Sequence, residues 1–325
     1  MSGSRPRVVA TRRLPPLVED ALRERFDAVL SHDDQPLGAV GLQRALAEAD
    51  AVLCTLTDRL TAEVLSGNPR RARLLASYGA GVDHIDLEAA EAYGLTVTNT
   101  PGVLTEDTAD LAITLVLATL RRAGEGEREV RGGRWTGWRP THLLGRRVSG
   151  ATLGIVGLGR IGLATAARAH HGFGMRVLGT SRTRPDAEAL ASHGVTWCES
   201  LAALLPQVDV LSLHVPGGPG TRGMIGAREI ALMRPGSVLI NTARGGVVDT
   251  EAMIAALMSG HLFGVGLDVY PGEPAVDRRL LGIERAVLLP HLGSATREAR
   301  VAMGMRAIDN IEAFFRGEMP PDRVA

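Results

Sequence analysis

Short apolar runs alternate with amphipathic stretches along the whole chain, the pattern of parallel-sheet α/β proteins. In the first hundred residues the alternation predicts strands at 7–11, 51–55, 74–77 and 96–99, and helices at 17–26, 41–49, 61–65 and 87–93. Asn99-Thr-Pro101-Gly102 breaks the pattern, and a long helix over 106–121 follows, with Thr105 as its cap. The next stretch, 124–145, is rich in Gly, Arg and Trp and has no period. It is predicted to be an extended arm, because Trp135 and Trp138 need something to bury against. A second α/β series starts with a strand at Thr152 and continues with strands at 176–181, 195–198, 209–215, 238–242, 265–269 and 287–289. Its helices are predicted at 160–171, 201–205, 227–233 and 250–259, and a last helix over 296–316 closes the chain.

At 325 residues the chain has room for two domains with ample cores. Its formal net charge of zero argues against a nucleic-acid or anionic-membrane partner. The longest apolar run, near Leu111–Leu120, is too short to span a membrane. The opening MSGSRPRVVA lacks the apolar core of a signal peptide, so a cytoplasmic location is expected. Cys54 and Cys198 are then reduced, buried thiols, and no metal site is expected. Every basic residue is Arg. Without a lysine amine, Schiff-base and pyridoxal-phosphate chemistry are excluded, as is the phosphate loop that depends on lysine.

One glycine triplet carries more information than composition does. TLGIVGLGRIG, Thr152–Gly162, sets Gly157-Leu158-Gly159-Arg160-Ile161-Gly162 between an apolar strand and an alanine-rich helix. In such a fingerprint Gly157 allows the tight turn, Gly159 lets backbone approach a pyrophosphate, and Gly162 lets helix pack on strand. About twenty residues on, where an NAD site usually carries an acidic residue, stand Ser181, Arg182 and Arg184. A serine and two guanidiniums suit a 2′-phosphate, so NADPH is expected over NADH, unless these arginines are simply solvated. Three polar residues follow predicted strands: Arg244 after LINTA, Glu273 after Asp268-Val-Tyr-Pro-Gly, and His291 after LLP. Each alone would also fit a surface charge, a turn or a hinge. Together, at strand ends behind a dinucleotide fingerprint, they mark a site.

The chain resembles the D-isomer-specific 2-hydroxyacid dehydrogenase family in SYGAGVDHID, TPGVLTEDTAD, GIVGLGRIG, LINTARGGVVD, GLDVYPGEP and LPHLGSAT, motifs that run from end to end. RWTGWRP, Ser-Arg-Thr-Arg and the closing GEMP look most like the glyoxylate/hydroxypyruvate reductase branch. The resemblance implies two Rossmann-like or flavodoxin-like parallel-sheet domains with an active-site cleft between them. Residues 1–101 plus 292–325 would form the substrate domain and 102–291 the cofactor domain.

It implies that Arg244 clamps the carboxylate of a 2-oxo acid, His291 donates a proton to the keto oxygen, and Glu273 holds the imidazole in its charged form. Backbone N–H groups of Ala80 and Gly81 would hold the same carboxylate, and Leu56 and Trp138 would line the substrate. Beyond the fingerprint and the Ser-Arg-Thr-Arg, cofactor contacts are implied for Thr105, Val215, Pro216, Thr221, Thr242, Ala243, Asp268 and Gly293. The implied assembly is a homodimer built on the 106–121 helix and the arm, with Trp138 reaching the partner's substrate. Other readings on this fold are a reductase of a bulkier 2-oxo acid and a cofactor-sensing corepressor. A formate dehydrogenase fits less well, because Glu273 stands where that family has Gln. The loop Pro216-Gly-Gly-Pro-Gly-Thr221 and the pair Gly245-Gly246 depart from the family's usual text. His84, His142 and His214 are read as making local contacts.

Overall fold

The computed structural model describes residues 5–325. Residues 1–4, the start of the MSGSRPRVVA stretch, lie outside them. Two compact units emerge: residues up to Leu104 together with Ala295–Ala325, and Thr105–Ser294. The chain therefore changes unit at 104/105 and 294/295 rather than at 101 and 291. Hydrogen bonds explain the shift. Thr100 donates its N–H to Gly79 O at 2.9 Å and Asn310 Nδ2 reaches Asn99 O at 3.2 Å, which ties the TPG loop to the first unit. Gly293 is tied to the second, donating to Asp268 Oδ2 at 2.8 Å and accepting from Thr108 Oγ1 at 3.0 Å.

In the first unit, β1 (Arg7–Ala10), β2 (Asp27–Val29), β3 (Ala51–Cys54), β4 (Leu74–Ser77) and β5 (Thr96–Thr98) form a sheet in the order β2-β1-β3-β4-β5. Every pairing is parallel. β3 and β4 are buried along their full lengths, as their apolar runs require. The edge strand β2 is a departure from the pattern: Asp-Ala-Val is short, largely exposed and paired only through β1, so it has no apolar signature. The last helix, Arg297–Phe315, returns to this unit and packs on β4. Tyr78 donates its hydroxyl to Arg300 O within that contact.

In the second unit, β6 (Thr152–Val156), β7 (Arg176–Thr180), β8 (Val195–Trp197), β9 (Val210–Leu213), β10 (Ser237–Asn241), β11 (Leu262–Leu267) and β12 (Ala286–Leu288) form one parallel sheet. Its order is β12-β11-β10-β9-β6-β7-β8, so the winding reverses between β9 and β6. That reversal opens a crevice at the carboxyl ends of the strands, where ligands of such sheets bind. The helix Thr105–Leu120 covers β10 and β11. It starts at Thr105, which is thus its first residue and not its cap, behind a turn anchored by Leu104 at 8% exposure.

The arm was only partly foreseen. Residues Ala123–Arg131 form a helix. Its one buried residue is Glu125, paired with Arg122 at 2.6 Å, so an ion pair stands where an apolar stripe would have revealed the period. The remainder of the arm has no regular structure, and Trp135 and Trp138 are 54% and 82% exposed. No described helix is long and apolar enough to cross a membrane, and both cysteines are free and buried.

Candidate active site

Two of the three fingerprint glycines are required by the backbone around them, and the third faces open space. Gly157 has φ +99°, and a Cβ there would lie 2.6 Å from His214 O, at the reversal between β6 and β9. A Cβ on Gly162 would lie 2.0 Å from Gly157 O, so only glycine lets the helix Arg160–Ala167 seat on its own turn. Around Gly159 there is open space for 4 Å. The leading N–H groups of the helix, at Arg160 and Ile161, have no partner among the described residues. Leu158 is buried beneath them. Open backbone, unpaired N–H groups and the positive end of a helix fit a pyrophosphate. A second fit lies after β10, where Thr242 Oγ1 is buried without a hydrogen-bond partner.

These differences separate two glycine variants. Gly162→Ala is expected to lower the melting temperature sharply, since the added methyl meets backbone. Gly159→Ala is expected to melt like the wild type yet bind nicotinamide nucleotide at least tenfold more weakly. Thermal unfolding and nucleotide titration on both would expose an error if the two behaved alike.

Other residues expected to meet the cofactor lie in turns that follow β7 and β9. Ser181 donates to Thr183 O at 2.6 Å in the turn after β7, with Arg182 and Arg184 exposed beside it. In the unusual glycine-rich loop, Thr221 Oγ1 donates to Pro216 O at 2.7 Å and closes the turn that begins after Val215. Burial pushes His214 down to about 4, so the ring is neutral, and it pairs with Ser212 at 2.9 Å. His142 is likewise occupied, by Glu129 at 2.8 Å, and His84 lies 3.5 Å from Ser77.

Three strand ends carry the polar residues that the sequence singles out. After β10, Asn241 braces the turn: its Oδ1 accepts from Ala243 N at 3.0 Å and its Nδ2 donates to Arg244 O at 2.9 Å. The Arg244 guanidinium donates to Ala243 O at 2.7 Å. Gly245 is packed so tightly that a Cβ would lie 2.0 Å from Tyr270 C, while Gly246 faces open space. The first glycine of that pair is thus dictated by packing against the strand-end segment that follows β11.

That segment positions Glu273. Glu273 Oε1 accepts from Tyr270 N at 2.8 Å, and Oε2 meets His291 Nδ1 at 2.7 Å. Burial opposes its ionisation most strongly. The hydrogen bonds from His291 and Tyr270, with the charges of His291 and Arg244, outweigh burial and hold the carboxyl below its ordinary value. The Tyr270 hydroxyl, pushed up to about 12 by burial, donates to Leu289 O at 2.9 Å and so links the end of β11 to the approach to His291.

Sequence reasoning gave Glu273 as the partner of the His291 ring but missed what holds the His291 backbone. Its backbone has φ +57°, the left-handed region that non-glycine residues rarely occupy. Asp268, 1% exposed, fixes that turn: its carboxylate accepts from Leu292 N at 2.7 Å and Gly293 N at 2.8 Å. The His291 N–H reaches Asp268 O at 3.0 Å. Burial raises the Asp268 pKa, with the two amides working against it. The signal was present as an acidic residue at the end of an otherwise apolar strand, but its partners lie more than twenty residues away in sequence.

The Glu273 shift has a testable sign. Because its carboxyl titrates lower folded than unfolded, its pairing contributes stability in full above the ordinary value of 4.5. That contribution is lost as pH falls through the folded value. Melting temperatures from pH 7 to pH 3 should therefore fall less for Glu273→Gln than for the wild type. Parallel curves would contradict the assignment.

In the first unit, Leu56 is 38% exposed just after β3. Ala80 and Gly81 follow β4, and neither N–H has a partner among the described residues. Asn99 Nδ2 fixes the turn by donating to Ala80 O at 2.7 Å.

A strand–glycine-turn–helix at a sheet reversal, with an Arg and a Glu–His pair on nearby strand ends, defines a nicotinamide-dependent oxidoreductase. Residues 113–293 match the model of the NAD binding domain of D-isomer specific 2-hydroxyacid dehydrogenases, and the chain belongs to that family. It is an NAD(P)-dependent oxidoreductase acting on 2-hydroxy acids. A glyoxylate reductase of Thermococcus litoralis is 43% identical, covering 98% of this chain and 97% of its own. A solved D-isomer specific 2-hydroxyacid dehydrogenase from Polaromonas, described as putative, superposes with a TM-score of 0.92 at 38% identity, covering 99% of this chain and all of that one. An NADPH-dependent glyoxylate/hydroxypyruvate reductase from Sinorhizobium meliloti, solved with NADP and malonate, gives a TM-score of 0.87 at 35% identity over 99% of this chain and 97% of that one.

Proposed function

We propose that this protein is a reductase of small 2-oxo acids, glyoxylate and hydroxypyruvate foremost, with a preference for NADPH, and that hydroxypyruvate gives the D-2-hydroxy acid. The observation that carries the reading is the Glu273–His291 hydrogen bond at 2.7 Å, set in the same unit as Arg244 and the dinucleotide fingerprint. When bound, the reduced nicotinamide supplies a hydride to the keto carbon. With Nδ1 engaged by Glu273, His291 has Nε2 left to hydrogen-bond the keto oxygen and pass it a proton. The carboxylate of Glu273 orients the ring for that transfer. Arg244 offers a planar fork to the substrate carboxylate, and the unpaired amides of Ala80 and Gly81 are proposed to serve the same group.

The cofactor would be held by Gly157–Gly162, by Val215, Pro216 and Thr221, and by Thr242 and Ala243, with Ser181, Arg182 and Arg184 at the 2′-phosphate. Thr105, Asp268 and Gly293 are proposed to complete its surroundings. The exposure of Trp135 and Trp138 supports a homodimer built through the arm, with Trp138 lining the partner's substrate.

The test is oxidation of NADPH and of NADH with glyoxylate, hydroxypyruvate, pyruvate and phenylpyruvate, alongside the solution mass by light scattering. Highest kcat/KM for the two smallest hydroxy- or aldehyde-bearing acids with NADPH, on a dimer, is the expected result. Phenylpyruvate as best substrate, equal efficiency with NADH, or a monomer would each remove the corresponding part of the proposal.

A further inference from the structure

The Arg184 guanidinium does not project freely from the turn after β7. It lies over the ring of Trp197, its carbon 5.5 Å from the ring centre. Trp197 ends β8, the edge strand beside β7, and is aligned there with Gly179. Cys198 N donates to Gly179 O at 2.8 Å, which keeps β8 in register up to the turn that bears Arg184. The indole packs on the apolar core of this unit, so it is a fixed surface and not a mobile one. Its Nε1 is buried without a hydrogen-bond partner, an unfavourable feature that a phenyl ring in the same place would avoid.

The chemistry of the contact is selective. A guanidinium held over a ring is attracted through its charge, not through its N–H donors, which stay available to another acceptor. An ion pair would occupy those donors instead. The nearest carboxylate, Glu199, stands 3.8 Å from Arg184, with both side chains largely exposed. Such a pair is weak and solvent-screened, so a phosphate dianion readily displaces it. Arg184 thus has a fixed aromatic neighbour before the cofactor arrives, and only a weak competitor for its donors.

We propose that Trp197 is a positioning residue for 2′-phosphate recognition, acting through Arg184, so that the edge strand β8 sets how strongly the enzyme prefers NADPH. This rests on the cofactor preference proposed above. Because the adenosine end of the nucleotide differs between the two cofactors only at that phosphate, Trp197 should act on one and not on the other.

Calorimetric titration of NADP⁺ and NAD⁺ into the full-length enzyme, with no turnover involved, tests it. Trp197→Leu should weaken NADP⁺ binding roughly fivefold, within the range of a cation–π contact, and leave NAD⁺ binding unchanged. Trp197→Phe, which keeps an apolar ring in the core, should fall between the two. Glu199→Gln should tighten NADP⁺ about twofold. In an Arg184→Ala background, Trp197→Leu should add nothing, because the residue that it positions is gone. If the wild type prefers NADP⁺ but Trp197→Leu weakens both nucleotides alike, or still acts without Arg184, the role of Trp197 is overturned alone. If the wild type binds both nucleotides equally, the cofactor preference falls and takes this proposal with it.

Discussion

Replacing His291 by alanine is expected to lower kcat by about a hundredfold to ten-thousandfold, the usual contribution of a positioned acid. Binding of the nicotinamide nucleotide should be unchanged, because the cradle proposed for it is made of Gly157–Gly162 and the turns after β9 and β10. The backbone complicates a simple deletion. His291 sits at φ +57°, where a residue with a Cβ is strained by roughly 1–2 kcal/mol. Asparagine tolerates this conformation better than alanine does. Comparing His291→Ala with His291→Asn therefore separates loss of the imidazole from collapse of the turn. Equal loss of turnover in both, with nucleotide affinity retained, is the expected outcome. Near-normal turnover in His291→Asn would show that the turn matters and the ring does not.

Arg244 should show the next largest effect, and of a different kind. Two charge-assisted hydrogen bonds to a carboxylate, at about 1.5–3 kcal/mol each, correspond to a loss of roughly a hundredfold to ten-thousandfold in kcat/KM. For Arg244→Ala much of that loss should appear as a raised KM for the oxo acid, with little change in nucleotide affinity. Lysine restores the charge but not the planar fork, so Arg244→Lys should recover only part of it. The change also reaches Glu273, whose low pKa draws on the Arg244 charge. A KM for glyoxylate unaltered in either variant would show that the carboxylate binds elsewhere.

Much of this architecture was legible before any coordinates. The helix Thr250–Ser259 begins where Asp249 caps it and ends at Gly260, φ +77°, both visible as letters. Buried strands such as β4 and β10 announce themselves as unbroken apolar runs. Where the pattern failed, the stabilising contacts were not apolar or not local. The helix Ala123–Arg131 buries an ion pair. The short helix Ala187–Ser192 buries only Leu190, too little to show a period, and the strand β2 exists because β1 offers it an edge.

The site divides in the same way. Sequence by itself determined the α/β class and the glycine fingerprint, and it marked Arg244, Glu273 and His291 as candidates, because turn geometry and strand ends are local properties written in adjacent residues. Tertiary structure decided how those residues are held. Asp268 reaches the amides beyond His291, Tyr270 joins the ends of β11 and β12, Asn241 braces Arg244, and Trp197 lies under Arg184. Except for Asn241, each contact joins segments separated in sequence, and for all four the partner is fixed by side-chain geometry that no period of hydrophobic and polar positions encodes.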